Sequence, residues 1–178
     1  MPHIALHNDA PGITGLFQYR PETARPLREL SEVLLRGPNT LTRGERELIA
    51  AHVSTRNHCR FCALSHGASA AAQLPDGMPL VEQVHADVDS APVSAKLRAL
   101  LHLADAVRRD GRAVTQADVE AARAAGASDL EIHDTVLIAA AFSMYNRYVD
   151  GLATIAPDDP AAYAKMAERI VGTGYLPG

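Results

Sequence analysis

Apolar residues recur along most of the chain at intervals of three and four positions, which is the spacing of one face of an α-helix. After Pro21, for example, Leu27, Leu30 and Leu34 fall on one face, and Gly37 ends the pattern as glycine commonly ends a helix. The same reasoning predicts helices over about residues 21–36, 43–54, 58–72, 79–86, 94–109, 116–125, 129–150 and 160–171.

Two of these helices begin with a capping box, in which a Thr or Ser hydroxyl and a Glu carboxylate bind each other's free backbone N–H groups. The pairs are Thr42 with Glu45 and Ser128 with Glu131. Residues 1–19 contain proline and glycine breakers and are predicted to be irregular. Because no strand-like run and no change of composition interrupts the helical pattern, we expect an all-α fold forming a single domain over the whole chain.

Composition supports a folded helical protein and excludes several other classes. Of the 178 residues, 47% are hydrophobic and 4% are aromatic, and alanine, the best helix former, is abundant. The net charge of −4 leaves no basic excess for binding nucleic acid. The longest apolar run, Val136 to Phe142, covers seven residues, whereas a membrane span needs about 20.

Two sequence features bear on where the protein works. The N-terminus lacks the basic start and apolar segment of a secretory signal. Two cysteines are also too few for the disulfide framework of a secreted domain. We therefore expect a cytoplasmic protein whose cysteines carry out chemistry rather than cross-link the fold.

The most informative segment carries two cysteines and a histidine in the pattern CxxCxxxH. In a helix, Cys59 and Cys62 are three positions apart and His66 follows four positions later, so all three lie on one side. Glu47 lies on the preceding predicted helix, and we expect the four groups to meet in one pocket if the two helices pack together. The helix start also favours a thiolate at Cys59, because free N–H groups and the helix dipole stabilise negative charge there.

These residue types can carry out peroxide reduction. A thiolate attacks the O–O bond and becomes a sulfenic acid, and a second thiol nearby condenses with it to form a disulfide. A histidine can take the proton of the thiol, and a carboxylate can orient that histidine and stabilise its charged form. Because such a cycle runs between dithiol and disulfide, no metal, haem or flavin is expected as a cofactor.

A resemblance to a known family rests on this motif. Residues 41–70 read LTRGERELIAAHVSTRNHCRFCALSHGASA. They resemble the AhpD-like alkylhydroperoxidases of the carboxymuconolactone decarboxylase superfamily, in its peroxidase-related branch. The family pattern of a glutamate, eleven residues and then CxxCxxxH is matched by Glu47, Cys59, Cys62 and His66. Two segments nearer the chain ends, GITGLFQYRPETARPL and FSMYNRYVDGLA, also resemble the family.

The resemblance implies an all-helical, homo-oligomeric enzyme that reduces organic hydroperoxides with electrons from a thiol donor. It implies that Cys62 attacks the peroxide, that Cys59 resolves the product as a disulfide, and that Glu47 and His66 relay the proton. The expected reductant is another dithiol, such as a lipoyl group or a thioredoxin-like protein. One position departs from the best-studied members, because Phe61 stands between the cysteines where they carry a second histidine.

Other interpretations of the motif stay open. The cysteines can be buried structural thiols, since Cys is among the most buried residue types. They can also bind zinc together with His66 and either His58 or Glu47, in a redox sensor or structural clip without turnover. Finally, the fold can act on another substrate, such as a lactone or a halogenated compound.

Two further features receive no catalytic assignment from the sequence. His52 follows Glu47 closely enough to face the same cleft, but we prefer to interpret it as a packed or interface histidine. Tyr145, Asn146 and Arg147 belong to a polar cluster late in the long apolar helix. The cluster can line a substrate or subunit contact, although an ion pair between Arg147 and a carboxylate is the preferred interpretation.

Overall fold

A computed structural model describes residues 1–176 of the chain. Within that range the fold is all-α, as predicted, with about 70% of residues in helices and no strand. A single 3-10 turn, Gly111–Ala113, separates two of the helices. The α-helices are α1 (Gly12–Tyr19), α2 (Pro21–Arg36), α3 (Arg43–Arg56), α4 (Arg60–Ala71), α5 (Gly77–Ala86), α6 (Ala95–Arg109), α7 (Gln116–Ala124), α8 (Asp129–Gly151) and α9 (Pro160–Thr173).

Helix α3 forms the centre of the molecule. It pairs with α4 along its length, α6 and α8 pack against it, and α9 covers α4 from the other side. Every residue of α3 from Arg46 to Ser54 is buried, including Leu48, Ile49 and Val53. This part of α3 therefore has protein on all sides, and its polar side chains face the interior together with its apolar ones.

The predicted capping boxes fix how the central helices begin. The backbone N–H of Thr42 donates to Glu45 at 2.8 Å and the N–H of Glu45 donates to the Thr42 hydroxyl at 3.1 Å. Ser128 and Glu131 form the same arrangement at the start of α8, at 2.7 and 3.2 Å. The other carboxylate oxygen of Glu131 accepts from Lys96 Nζ at 2.6 Å, so this cap also joins α8 to α6.

The prediction of an irregular N-terminal stretch is wrong for residues 12–19, which form α1. Leu16 is completely buried, and the N–H of Gly12 donates to the carbonyl of Ile155 at 2.8 Å. Gly12 has a φ of +54° and lies directly against the ring of Phe61, which leaves no room for a side chain. Short helices depend on tertiary packing more than on intrinsic propensity, which explains why the local sequence does not predict this one.

The connection between α3 and α4 is short and sharply turned. His58 adopts a left-handed conformation with a φ of 62°, which is uncommon for a residue with a side chain. The N–H of the next residue, Cys59, then donates to the carbonyl of Ser54 at 3.0 Å. As a result Cys59 is the N-cap of α4 rather than a residue of its first turn.

None of the helices within residues 1–176 combines the length and apolar character that crossing a bilayer demands. The expectation of a single domain over residues 1–178 stays a prediction, as do the expected homo-oligomer and the cytoplasmic location.

Candidate active site

The pairing of α3 with α4 brings a carboxylate and an imidazole together inside the protein. Glu47, in the first half of α3, is only 1% exposed. Its Oε2 lies 2.7 Å from Nδ1 of His66, which comes from the middle of α4. The His66 ring also contacts the edge of Phe142, with 4.5 Å between ring centroids. Since the Nδ1 nitrogen is occupied by Glu47 and Nε2 has no hydrogen-bond partner among residues 1–176, Nε2 is the nitrogen available for proton transfer.

Tyr175 completes this pair and was missed by the sequence reasoning. Its hydroxyl donates to Oε1 of Glu47 at 2.5 Å, and its backbone N–H donates to Glu32 at 2.7 Å. Burial, together with the charge of Glu47 and the hydrogen bond to it, raises the pKa of the Tyr175 hydroxyl well above its usual value. Tyr175 follows the last helix in a segment without helical periodicity, so no local pattern points to this contact.

Cys62 is the thiol of the pair that lies beside His66. It is 4% exposed, and the pKa of its thiol is lowered from the ordinary value. The main cause is a hydrogen bond with the Cys59 thiol. Burial opposes this effect, but the nearby His66 and a hydrogen bond from Asn146 also favour the thiolate. The environment therefore prepares Cys62 to act as a nucleophile.

The pKa of the Cys59 thiol is shifted in the opposite direction. It has no exposed surface, and its hydrogen bond with Cys62, burial and the charge of Cys62 all raise the pKa of its thiol. The expectation that the start of α4 favours a Cys59 thiolate is therefore wrong, because the neighbouring Cys62 and burial favour the protonated thiol. Both cysteines are free thiols in this structure.

Asn146 joins α8 to the C-terminal end of α3 beside Cys62. Its Nδ2 donates to the Ser54 hydroxyl at 3.0 Å, and its Oδ1 accepts from Asn57 at 2.9 Å. Asn146 is buried, so these hydrogen bonds hold its amide in the place from which it favours the Cys62 thiolate. The sequence offered a signal here, because a polar cluster within an apolar helix commonly marks a contact with a ligand or another element.

The other members of that cluster behave differently. Tyr145 is buried, and its hydroxyl donates to the carbonyl of Leu27 at 2.8 Å. Arg147 forms no ion pair within residues 1–176 and donates instead to the carbonyl of Ser143 at 2.9 Å. The preferred interpretation of Arg147 as half of an ion pair is thus wrong, because the guanidinium finds its acceptor one turn back on its own helix.

A cavity of about 510 Å³ opens onto the Cys62 and His66 side chains, a size typical of small-molecule sites. Most of its wall is apolar. Phe61, which stands where the best-studied family members carry a histidine, forms part of that wall and packs against Tyr163 at 6.1 Å between centroids. The lining residues are Pro11, Ile13, Thr14, Phe17, Arg28, Ser31, Phe61, Cys62, Ser65, His66, Phe142, Tyr145, Met166, Arg169, Ile170 and Tyr175.

Cys59 does not line this cavity. It borders a second cavity of about 440 Å³, together with His58 and His85. His58 thus lies away from His66, and residues 1–176 contain no group of three His, Cys, Asp or Glu side chains placed to hold a metal ion. The zinc interpretation consequently lacks a ligand set in the described part of the chain.

His52 is a packed histidine, as the sequence analysis predicts. It is 2% exposed, and its Nδ1 has no hydrogen-bond partner within the described residues. Burial lowers the pKa of the imidazole to about 4, so the ring is neutral at neutral pH. His52 does not line the cavity at Cys62.

Comparisons with known proteins agree with this fold and motif. The sequence model of the carboxymuconolactone decarboxylase family matches residues 21–74, which hold α2, α3 and α4. A crystal structure of an uncharacterized peroxidase-related protein from Silicibacter sp. TM1040 has a TM-score of 0.77 and 28% identity. The match covers 86% of this chain and 78% of that one.

A second crystal structure is described as an alkylhydroperoxidase AhpD core, an uncharacterized peroxidase-related protein from Ralstonia eutropha JMP134. It has a TM-score of 0.78 and 27% identity, over 95% of this chain and 83% of the other. No curated protein gives a significant match.

The chain has the AhpD-like helical fold of these two structures, and its residues 21–74 are similar to the carboxymuconolactone decarboxylase family. Its structural neighbours are peroxidase-related, but the superfamily also includes other enzymes. This similarity alone therefore does not define the reaction, which depends on the side chains at Cys62.

Proposed function

We propose that this protein is a thiol-dependent peroxidase that reduces organic hydroperoxides through Cys62 and Cys59. The observation that carries the proposal is the environment of Cys62. Its thiol has a lowered pKa and lies beside His66 on the wall of a largely apolar cavity. A nucleophilic thiolate at the wall of an apolar cavity suits a substrate with a carbon skeleton and a reactive O–O bond.

In the first step the proton of Cys62 passes to Nε2 of His66, and the thiolate attacks the terminal oxygen of the hydroperoxide. An S–O bond forms while the O–O bond breaks, so Cys62 becomes a sulfenic acid. The alkoxide that leaves takes the proton back from His66 and departs as an alcohol. The sulfur is oxidised by two electrons, and the peroxide is reduced by the same two.

Glu47 acts on the His66 imidazole and does not contact the substrate in this mechanism. Its hydrogen bond at Nδ1 fixes which His66 nitrogen carries the exchangeable proton, and its charge stabilises the imidazolium that forms. Tyr175 holds the other carboxylate oxygen. Glu47 does not line the cavity, and the Tyr175 hydroxyl is bound to the carboxylate, so both act through His66 as positioning residues.

Cys59 then resolves the sulfenic acid. Its sulfur attacks the Cys62 sulfur, a disulfide forms, and the hydroxide leaves with the Cys59 proton as water. The opposite pKa shifts that the two thiols cause in each other support this step, because such shifts require the sulfurs to lie close together. A dithiol donor, such as a lipoyl group or a thioredoxin-like protein, returns two electrons and two protons and itself becomes a disulfide.

The test is to add one equivalent of cumene hydroperoxide to the reduced protein and count the free thiols. We expect both to disappear and the mass to fall by two hydrogens. Cys62→Ser should consume no peroxide, while Cys59→Ser should consume one equivalent and accumulate a sulfenic acid that dimedone traps. Donor turnover is then measured with dihydrolipoamide and with reduced thioredoxin.

Two results would contradict the proposal. If both thiols of the folded, reduced protein persist in excess hydroperoxide, the cysteines are not peroxidatic. If the purified protein contains one equivalent of zinc and chelation lowers its melting temperature, the cysteines act as a structural clip. If instead Cys62→Ser still reacts and Cys59→Ser does not, the two roles are reversed.

A further inference from the structure

Two arginines line the cavity at Cys62 and take no part in the chemistry proposed above. Arg28 comes from α2 and is half-buried, whereas Arg169 comes from α9 and is exposed. The Arg28 guanidinium lies over the ring of Phe17 at 4.9 Å from its centroid. The two arginines are therefore held at the cavity by two different helices, and one of them rests on an aromatic side chain.

Neither guanidinium has an anionic partner in the described part of the chain. Within residues 1–176, Arg28 and Arg169 make no ion pair, and neither side chain donates a hydrogen bond. Two other arginines of α2 do have partners. Arg25 forms an ion pair with Glu29 at 2.9 Å, and Arg36 forms one with Glu32 and donates to a backbone carbonyl in the last turn of α9. The two arginines on the cavity wall thus stand out from their neighbours.

The electrostatics of this pair favour an anion. Burial and the positive charge of Arg169 lower the pKa of Arg28, which means that the two like charges repel each other across the cavity wall. A guanidinium presents parallel N–H donors that match the two oxygens of a carboxylate. A carboxylate placed between the two arginines would remove the repulsion and satisfy both donor sets.

The other residues that line the cavity favour a ligand with an apolar skeleton. Phe17, Phe61, Phe142, Met166 and Ile170 line the same cavity as the arginines and the Cys62 thiol. Cavities of about 500 Å³ commonly hold ligands with an apolar skeleton and a few fixed polar contacts. The complementary ligand is an organic acid with one charged end and a hydrocarbon or aromatic skeleton.

We propose that the preferred substrates are hydroperoxides of organic acids, whose carboxylate binds Arg28 and Arg169 while the hydroperoxide group reaches Cys62. The proposal rests on the peroxidase function above, and it assigns the two arginines as the determinants of substrate class. A neutral hydroperoxide fits the same cavity but lacks the charged contact.

The test compares acids with their methyl esters. One pair is cumene hydroperoxide with a para carboxylate and the ester of that compound; a longer pair is the hydroperoxide of linoleic acid and its ester. In at least one pair we expect a kcat/KM about tenfold higher for the acid, the size of effect that one charged hydrogen bond commonly produces. The preference should shrink as salt is added, since the arginines are partly exposed.

Arg28→Gln and Arg169→Gln should each reduce the acid-to-ester ratio toward one. The ratio is insensitive to the fraction of folded protein, because both substrates are measured on the same preparation. Arg25→Gln and Lys165→Gln remove a positive charge from the same two helices without touching the cavity at Cys62. These two controls should keep the full preference for the acid.

A binding measurement separates this proposal from the peroxidase function. Calorimetry with the corresponding alcohols, which cannot react with a thiol, should show tighter binding of the acid alcohol than of its ester, dependent on both arginines. If no hydroperoxide is reduced but this difference is found, the peroxidase function fails and the anion site stands. Equal binding and equal kcat/KM for acid and ester, or a preference that survives both arginine substitutions, would overturn the proposed substrate class.

Discussion

Replacing Glu47 with glutamine tests whether a buried carboxylate drives proton removal from Cys62. The carboxylate is 1% exposed and uses both oxygens, one at 2.7 Å from His66 Nδ1 and one at 2.5 Å from the Tyr175 hydroxyl. A glutamine keeps the shape but offers one oxygen and one NH₂ group. One of the two donors therefore loses its acceptor, and the negative charge that stabilises an imidazolium is gone.

The size of the effect follows from the hydrogen bond that is lost. A hydrogen bond to a charged group contributes about 1.5–3 kcal/mol, and about 1.4 kcal/mol corresponds to a tenfold change in rate. We therefore expect Glu47→Gln to oxidise roughly 10 to 100 times more slowly at neutral pH. The deficit should decrease as the pH rises above the pKa of Cys62, because the thiolate then forms without a base.

The chain has no Trp, so the assay is quenched flow rather than Trp fluorescence. Reduced protein is mixed with cumene hydroperoxide, remaining thiols are alkylated, and the modified peptide is counted by mass spectrometry over a range of pH. Glu168→Gln makes the same chemical change on the exposed face of α9 and should leave the rate unchanged. A folded Glu47→Gln protein with the wild-type rate and pH profile would refute the role of Glu47.

Three other substitutions test separate parts of the structure, and a fourth, Gly172→Ala, is the matched control for the last of them. Cys59→Ala removes the hydrogen bond that most lowers the pKa of Cys62, so the thiolate absorbance at 240 nm should titrate at a higher pH than expected for the intact pair. His52→Leu removes a buried imidazole whose pKa in the folded protein is about 4. In the unfolded chain the same imidazole is protonated already below about pH 6.5, so lowering the pH favours unfolding. Wild-type stability should fall by roughly 3 kcal/mol between pH 6.5 and 4 from this group, and urea denaturation of the variant should show a smaller loss. Gly12→Ala should destabilise by about 1–3 kcal/mol, because its φ is +54° and the new Cβ would lie 2.2 Å from Phe61. Gly172→Ala, within α9 and with nothing within 4 Å, should be neutral or stabilising by up to about 1 kcal/mol.

Each of these has a defined contrary outcome. A Cys62 titration that stays in place in Cys59→Ala would mean that the neighbouring thiol is not the main cause of the lowered pKa. Equal pH dependence of stability in wild type and His52→Leu would mean that the pKa of His52 is the same in the folded and the unfolded protein. Equal melting temperatures for the two glycine variants would show that α1 can move away from Phe61 without cost.

The helices and their starts could be predicted because the information is local. Capping boxes at Thr42 and Ser128 depend on residues three positions apart, and amphipathic spacing reveals helices whose one face is polar. Helix α1 could not be predicted, because its stability comes from the burial of Leu16 and a hydrogen bond to Ile155, far away in sequence. Its proline and glycine residues indicate only that the segment has a low intrinsic helix propensity.

The sequence by itself determined the four groups of the motif and the chemistry that they can perform. The spacing within α4 makes Cys62 and His66 neighbours one turn apart. Only the tertiary structure decided how the two thiols differ. Their mutual contact raises the pKa of Cys59 and lowers that of Cys62, and burial removes solvent from Cys59 entirely. Tyr175, Arg28 and Arg169 likewise join the site through contacts between distant segments, and a pKa or a cavity wall depends on charges and packing in space rather than on position along the chain.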